Sequence, residues 1–420
     1  MIEKIQIQNF KSIRDLELEL GRVNVFIGEN GSGKTNILEA IGVYGNAITK
    51  LISNNKIIGD LNDEIITSKG IRFDSWANLK SGFLADESKN NITIKITDDN
   101  ENQLFCKTIE SGVEEYTTDV VFLPTEEMKE EMQKTMVNEM HSNYVFQKKI
   151  QTFFNETENA VDIENKFSTN PDLIKLLFDS AVENLRPKVN SLAKEIVEKN
   201  GLPDFAIFCP ENTYLRRTDE ESHLRPIGVR GEGLLNYLSN LLETKPDVFD
   251  AIKENLKLIS WFQDLEIYKD FLTGGNRVKL KDKFLAEGKT IGLRNANEGF
   301  LFVLFYITLF SSEKTPKFFA IDNFDNALNP KLCSELIKIL IKIAKEKGKQ
   351  VILTTHNPAV LDGLDLKDDE QRLFVVSRKI ETGDTKVKRI LKKQTPFGES
   401  TTKLSESFMN GSIGGLPQNF

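Results

Sequence analysis

The chain has 420 residues and a formal net charge of −8, from 55 Lys and Arg against 63 Asp and Glu. Hydrophobic residues make up 39%, and 12 Pro with 26 Gly are too few for a collagen-like or low-complexity chain, so a packed core is expected. A pI near 5.3 argues against coating nucleic acid by bulk charge and leaves room only for a local basic groove.

The length suits two or three domains, or one large α/β domain with an insertion. The first ten residues, MIEKIQIQNF, alternate polar and apolar, which fits a half-buried strand and not a signal peptide. Residues 2–9 and 16–27 read as strands, and a helix is predicted from about Lys34. Strand-like ITIKI and VVFL lie within 90–123. From Thr125 to Asn200 the pattern is helical and charged, with Thr125 placed to cap an acidic first turn. FAIF (205–208) reads as a strand and 231–242 as a helix. The apolar run Phe300 to Phe310 would span roughly 17 Å as a helix, short of a ~30 Å bilayer core, so it reads as a buried helix and no membrane contact is expected. FFAI (318–321), QVILTT (350–355) and LFVVSR (373–378) read as strands around a helix at 330–347, the pattern of a largely parallel α/β sheet. The tail from Thr395 carries Phe397, Phe408, Leu416 and Phe420 and is expected to pack.

Cys106, Cys209 and Cys333 lie far apart and form no CxxC pair, so they read as three buried thiols in a cytoplasmic protein. His141 and His223 lie in charged surroundings and read as surface residues.

Four segments carry chemistry. GENGSGKT (28–35) matches G-x-x-x-x-G-K-[ST] between an apolar run and a helical pattern, the context a phosphate loop requires. Gly28, Gly31 and Gly33 let backbone N–H groups wrap an oxyanion, with Asn30, Ser32 and Asn36 in the same loop and helix start. Lys34 is expected to reach the β- and γ-phosphates of ATP, and the Thr35 hydroxyl to bind Mg²⁺. KFFAIDN (317–323) supplies a strand ending in Asp322, where the metal would sit. TTHNP (354–358) follows a strand, so His356 is expected to project into the same crevice. Asn297, Glu298 and Gly299 precede the apolar helix and make a plausible anion contact.

With NFKSI (9–13), the phosphate loop, NEG (297–299), IDNFDNALNP (321–330) and TTHNPAVLDGLD (354–365) in this order, the chain resembles ABC-type ATPases of the SMC/RecF group, in the bacterial AAA-like branch that includes anti-phage defence ATPases. The resemblance implies an ABC-ATPase head, a P-loop NTPase fold with a mixed sheet flanked by helices, carrying an α-helical insertion. It implies a head-to-tail homodimer around two ATP molecules, each site pairing one phosphate loop with the partner's signature segment. It further implies that Lys11 and Ser12 touch nucleotide, that Asn326, Ala327 and Leu328 cross the interface, and that His356 senses the γ-phosphate. The lobes are expected at 1–124 and 204–394, the insertion at 125–203 and a tail at 395–420. FLPTEE (122–127) lies near the usual coupling loop and carries no glutamine.

One departure bears on catalysis. Relatives follow the strand Asp with a catalytic Glu, and here the residue is Asn323, which can hold a water but cannot accept its proton. Asp325 is the candidate substitute; without one, hydrolysis is slow and ATP acts mainly as a clamp. About 60 residues follow His356, with no DxD or acidic cluster of metal-ligand spacing, since Asp368, Asp369 and Glu370 read as a solvated turn. The expected partner is therefore a separately encoded nuclease or toxin, as in two-gene systems of the Septu or PARIS type, an argument from analogy. The alternative is a RecF/SMC-like repair or chromosome-maintenance ATPase that clamps DNA. Local DNA contact could come from Lys279, Lys281 and Lys283, or from Lys386, Lys388, Arg389, Lys392 and Lys393.

Overall fold

The computed structural model describes residues 1–54, 69–71, 92–101, 103–110, 116–123, 199–217, 225–269, 276–391 and 403–416. In chain order the elements are β1 (Ile2–Phe10), β2 (Ile13–Glu19), β3 (Val23–Ile27), α1 (Lys34–Asn54), β4 (Ile92–Asp98), β5 (Gln103–Glu110), β6 (Tyr116–Leu123) and β7 (Ile207–Phe208). Next come α2 (Asn212–Leu215), α3 (Leu234–Thr244), α4 (Pro246–Leu256), β8 (Phe262–Lys269), β9 (Asn276–Asp282), β10 (Ile291–Gly292) and α5 (Glu298–Ser311). The chain continues through β11 (Phe318–Ile321), α6 (Pro330–Glu346), β12 (Gln350–Thr355), β13 (Gln371–Arg378), β14 (Thr385–Ile390) and α7 (Leu404–Met409).

The central sheet has the order β14-β13-β3-β12-β11-β7. Its strands are parallel except β14, which returns antiparallel to β13. β3 from the chain start thus lies between β12 and β13 from the chain end, and Val25 pairs with both Leu353 and Leu373. Side chains alternate across this sheet and divide the core in two. Val25, Leu353 and Phe319 face the helices α3 to α6, while Phe26, Ile352 and Phe318 face α1 and a second, antiparallel sheet, β2-β1-β4-β5-β6. A strand buried on both faces reads as a continuous apolar run, which is why VNVFI and FFAI were legible. A third sheet, β10-β9-β8, lies just ahead of α5.

The predicted strand 16–27 is two strands. Gly21 and Asn24 break it: the Asn24 amide donates to the Gly21 carbonyl at 2.9 Å and its oxygen accepts from the Gly21 N–H at 2.8 Å. A Cβ at Gly21 would lie 2.6 Å from the Glu370 carbonyl oxygen, so the turn admits little else. FAIF contributes only Ile207–Phe208 as strand. α4, β5, β8 to β10 and β14 are further elements that the pattern reading did not mark. α5 forms where expected, and every residue from Gly299 to Ser311 is buried. Among the described residues no helix is long and apolar enough to cross a membrane. The tail expectation holds at Phe408, which is buried, while Phe397 and Phe420 lie outside the described residues. Of the stretch 125–200 predicted to be helical, residues 125–198 also lie outside them, as do His141, His223, Lys392 and Lys393.

Candidate nucleotide site

β3 delivers the chain to the phosphate loop, and α1 starts at Lys34. Gly31 and Gly33 adopt φ of 73° and 106°, a region that L side chains rarely occupy. Gly28 is required by space, since a Cβ there would lie 2.0 Å from the Val376 carbonyl oxygen. The Lys34 ammonium is buried within the loop and donates to the carbonyls of Gly28 and Glu29, both at 2.9 Å. Burial pulls it down to about 8, against the opposing pull of Asp322, Asp325 and Glu29. Ser32 Oγ is buried without a hydrogen-bond partner. A buried, unspent hydroxyl in a loop of permissive glycines at a helix N-terminus fits a phosphate group.

The metal side also fits. Thr35 Oγ1 donates to Asp322 Oδ2 at 3.0 Å, so a hydroxyl and a carboxylate converge from different elements. The Asp322 N–H donates to the Phe208 carbonyl at 2.9 Å, and its other carboxylate oxygen accepts from Thr354 Oγ1. These residues would hold Mg²⁺, which supplies charge neutralisation on the β- and γ-phosphates.

Asn323 follows at φ 55°, exposed, with its N–H donating to Thr354 Oγ1 at 2.9 Å. Asp325 lies half-buried, and its Oδ1 accepts from Thr355 Oγ1 at 2.6 Å and from the His356 N–H at 3.2 Å. Its carboxylate therefore fixes the backbone that carries the histidine. Burial and then Lys34 lower the His356 imidazole below its ordinary value, while Asp325, Asp322 and the Gly28 backbone oppose this. The structure thus brings Lys34, Thr35, Asp322, Asp325 and His356 into one crevice.

Lys11 and Ser12 sit beside the loop but bond to protein. Lys11 adopts φ 47°, and its ammonium meets the fully buried Glu39 carboxylate at 2.7 Å. Ser12 Oγ accepts from the Asn36 amide at 2.7 Å and shares a hydrogen bond of 2.7 Å with Thr385 Oγ1, which also donates to the Ser32 carbonyl at 3.1 Å. Asn30 and Gly31 form the exposed tip, and the Gly31 carbonyl accepts from Arg378 Nε at 2.7 Å.

Asn297 caps α5, accepting from the Phe300 N–H at 3.3 Å. Asn297 and Glu298 are exposed and Gly299 is buried. A Cβ at Gly299 would lie 3.1 Å from the Ala327 carbonyl oxygen, so the signature segment abuts the 326–328 loop of its own chain. Asn326 and Ala327 are exposed there, with Ala327 at φ 60°. Among the described residues no hydrogen bond joins 297–299 to 28–36.

Several working residues escaped the pattern reading. Thr354 and Thr355 stand in the TTHNP segment, and nothing in that segment marks their bonds to Asp322 and Asp325. Thr385 and Arg378 brace the loop from β14 and the end of β13, and one sequence carries no signal for such long-range bonds. Cys209 is exposed at the end of β7, contrary to the three buried thiols expected: it follows a two-residue edge strand level with Asp322. Cys333 is buried, as expected, and burial pushes its thiol up to about 12. The 368–370 turn is an ion-paired clasp and not simply solvated, since Lys345 reaches Asp368 at 2.8 Å and Glu370 at 3.1 Å.

The family described as AAA ATPase domain matches residues 1–361. A DNA replication and repair protein RecF from Listeria welshimeri is 45% identical over 56 residues, 13% of this chain and 15% of that protein. An uncharacterized protein from Methanocaldococcus jannaschii is 49% identical over 45 residues, 10% of this chain and 20% of that protein. The chain thus matches a fifth or less of the length of these curated relatives. An SMC head solved with the C-winged helix domain of ScpA shares the fold, with a TM-score of 0.51, 14% identity, and coverage of 93% of this chain and 98% of that one. The fold is that of an SMC-type ABC-ATPase head, and the chain belongs to the AAA ATPase domain family.

Proposed function

We propose that this ATPase is an ATP-switched clamp. Two copies close head-to-tail on two ATP molecules, and the closed form controls a separately encoded nuclease or toxin in anti-phage defence. The observation that carries the clamp is that Lys34, Thr35 and Asp322 meet within one chain, where they would bind phosphate and metal, while Asn297, Glu298, Asn326 and Ala327 are exposed and, among the described residues, 297–299 share no hydrogen bond with 28–36. Such a half-site needs a second copy to cover the γ-phosphate. In this reading Lys34 turns from the loop carbonyls to phosphate, and Ser32 Oγ gains its missing partner. His356, held by Asp325, faces the terminal phosphate. Asn323 orients water without taking its proton, so turnover is slow and the closed dimer persists.

The defence role is supported by the acidic net charge. The likeness to RecF favours a second reading, a DNA-repair clamp. Titration calorimetry with Mg²⁺-ATP tests the shared core: wild type binds, and Lys34→Ala loses binding by at least a hundredfold. Unchanged binding by Lys34→Ala would sink the site assignment. Co-purification of the neighbouring gene's product separates the readings, since a nuclease or toxin is expected for defence and its absence favours repair.

A further inference from the structure

The third sheet has a face that the nucleotide site leaves unused. Residues 276–294 carry six cations, Arg277, Lys279, Lys281, Lys283, Lys289 and Arg294, against two acids, Asp282 and Glu287, in a chain of net charge −8. On β9 the alternation is strict. Val278 and Leu280 are buried, 6% and 0% exposed, while Arg277, Lys279, Lys281 and then Lys283 point outward. Spaced two residues apart, these cations recur about every 7 Å along the strand, close to the repeat of phosphates in an extended single strand. Asp264 and Glu266 of β8 pair with Lys281. Lys279, Lys283, Lys289 and Arg294 have no ion-pair partner among the described residues.

Aromatic rings stand among the cations. Of six exposed large hydrophobics among the described residues, Tyr268, Phe284 and Leu285 belong to this sheet and the loop after β9. The Lys279 ammonium lies 4.4 Å from the centroid of Tyr268, and that of Lys283 lies 5.5 Å from Phe284. Phe284 is 78% exposed, with its N–H fixed to Asp282 Oδ1 at 2.9 Å. Open rings beside unpaired cations suit unstacked bases and their phosphates better than a duplex, whose bases are hidden.

We propose that the outer face of β8 and β9, with the loop to Lys289, binds a single-stranded nucleic acid, with phosphates on Lys279 and Lys283 and a base on Phe284. The face is mechanically close to the signature. Trp261 and Phe262 at the start of β8 pack on Phe300 at centroid distances of 5.4 and 5.6 Å, one residue beyond Gly299. Trp261 also accepts from the Lys283 N–H at 3.1 Å through its carbonyl. Strand binding would therefore bias the segment that closes on ATP, a consequence that rests on the clamp reading, whereas the binding itself does not.

The test is fluorescence anisotropy of the full chain with a labelled oligodeoxythymidylate of about 20 nucleotides, over a salt series. Wild type is expected to bind. The Lys279→Gln/Lys283→Gln variant should bind at least tenfold more weakly, with a salt slope smaller by about 1.4. Phe284→Ala should lose fivefold or more. Each variant should bind a fluorescent ATP analogue as wild type does, which separates a failed surface from a failed fold and from a failed nucleotide site. Absence of wild-type binding at low salt, or equal binding by the double variant, overturns the proposal. So does displacement by polyglutamate as effective as by unlabelled oligonucleotide, which would mark an acidic protein partner instead.

Discussion

Asn323 is where the residue chemistry departs furthest from the resemblance. It occupies a left-handed backbone position at the exposed end of β11, with its N–H spent on Thr354. If the missing proton acceptor is what limits turnover, Asn323→Glu should raise steady-state ATP hydrolysis about a hundredfold, within the usual range for a general base. Phosphate release would show it. Asp325 stands close enough to invite the role of base, but its Oδ1 is occupied by Thr355 and the His356 N–H. Asp325→Asn keeps an acceptor there and should leave melting temperature and turnover near wild type. Asp325→Ala should release the histidine turn and destabilise the fold by about 1–3 kcal/mol. A collapse of turnover in Asp325→Asn with intact stability would instead make it the base.

At the scale of elements, legibility followed burial. QVILTT was recognised to the residue because every position of β12 is buried, and FFAI for the same reason. The edge strand β14 and the third sheet were harder, since each has a charged outer face that reads as solvated turn. β14 illustrates this: TKVKRI buries only Thr385 and Ile390 fully, yet it braces the phosphate loop. The motifs name Gly28 to Thr35, Asp322 and His356, whereas several of the bonds around them join residues far apart in the chain. Thr385 makes the clearest case, bridging Ser12 Oγ and the Ser32 carbonyl while 2% exposed. Thr385→Val keeps the shape and removes both bonds. Urea unfolding should register a loss of about 1–3 kcal/mol, and nucleotide affinity should fall because the loop loses its brace. Gly33→Ala should be worse, because its Cβ would meet Thr385 Oγ1 at 2.1 Å in a backbone already at φ 106°.

At the scale of the molecule, one head is assembled from both ends of the chain. β3 from the first 54 residues is locked between β12 and β13, and α1 follows it through the phosphate loop, so the site exists only when distant segments meet. The base of this sheet holds a lysine that has no ion-pair partner among the described residues. Lys349 is 2% exposed, and its ammonium donates to Thr315 Oγ1 at 2.7 Å and to the carbonyls of Thr315 and Pro316 at 3.1 and 3.2 Å. Burial, and then Lys347, pull it from 10.5 to about 7. The unfolded chain keeps that proton to higher pH than the folded chain. Between about 7 and 10.5 the unfolded state therefore binds more protons, and stability rises with pH. Thermal melts from pH 7 to 9 should show this rise in wild type and a flatter profile in Lys349→Met. An equal rise in both would assign it to other groups.

Sedimentation velocity with and without Mg²⁺-ATP reads out whether the site is divided between two copies. Wild type should be largely dimeric at saturating ATP and revert slowly, while Lys34→Ala stays monomeric. Wild type that remains a monomer with ATP bound, or a dimer equally populated without nucleotide and in Lys34→Ala, would contradict it.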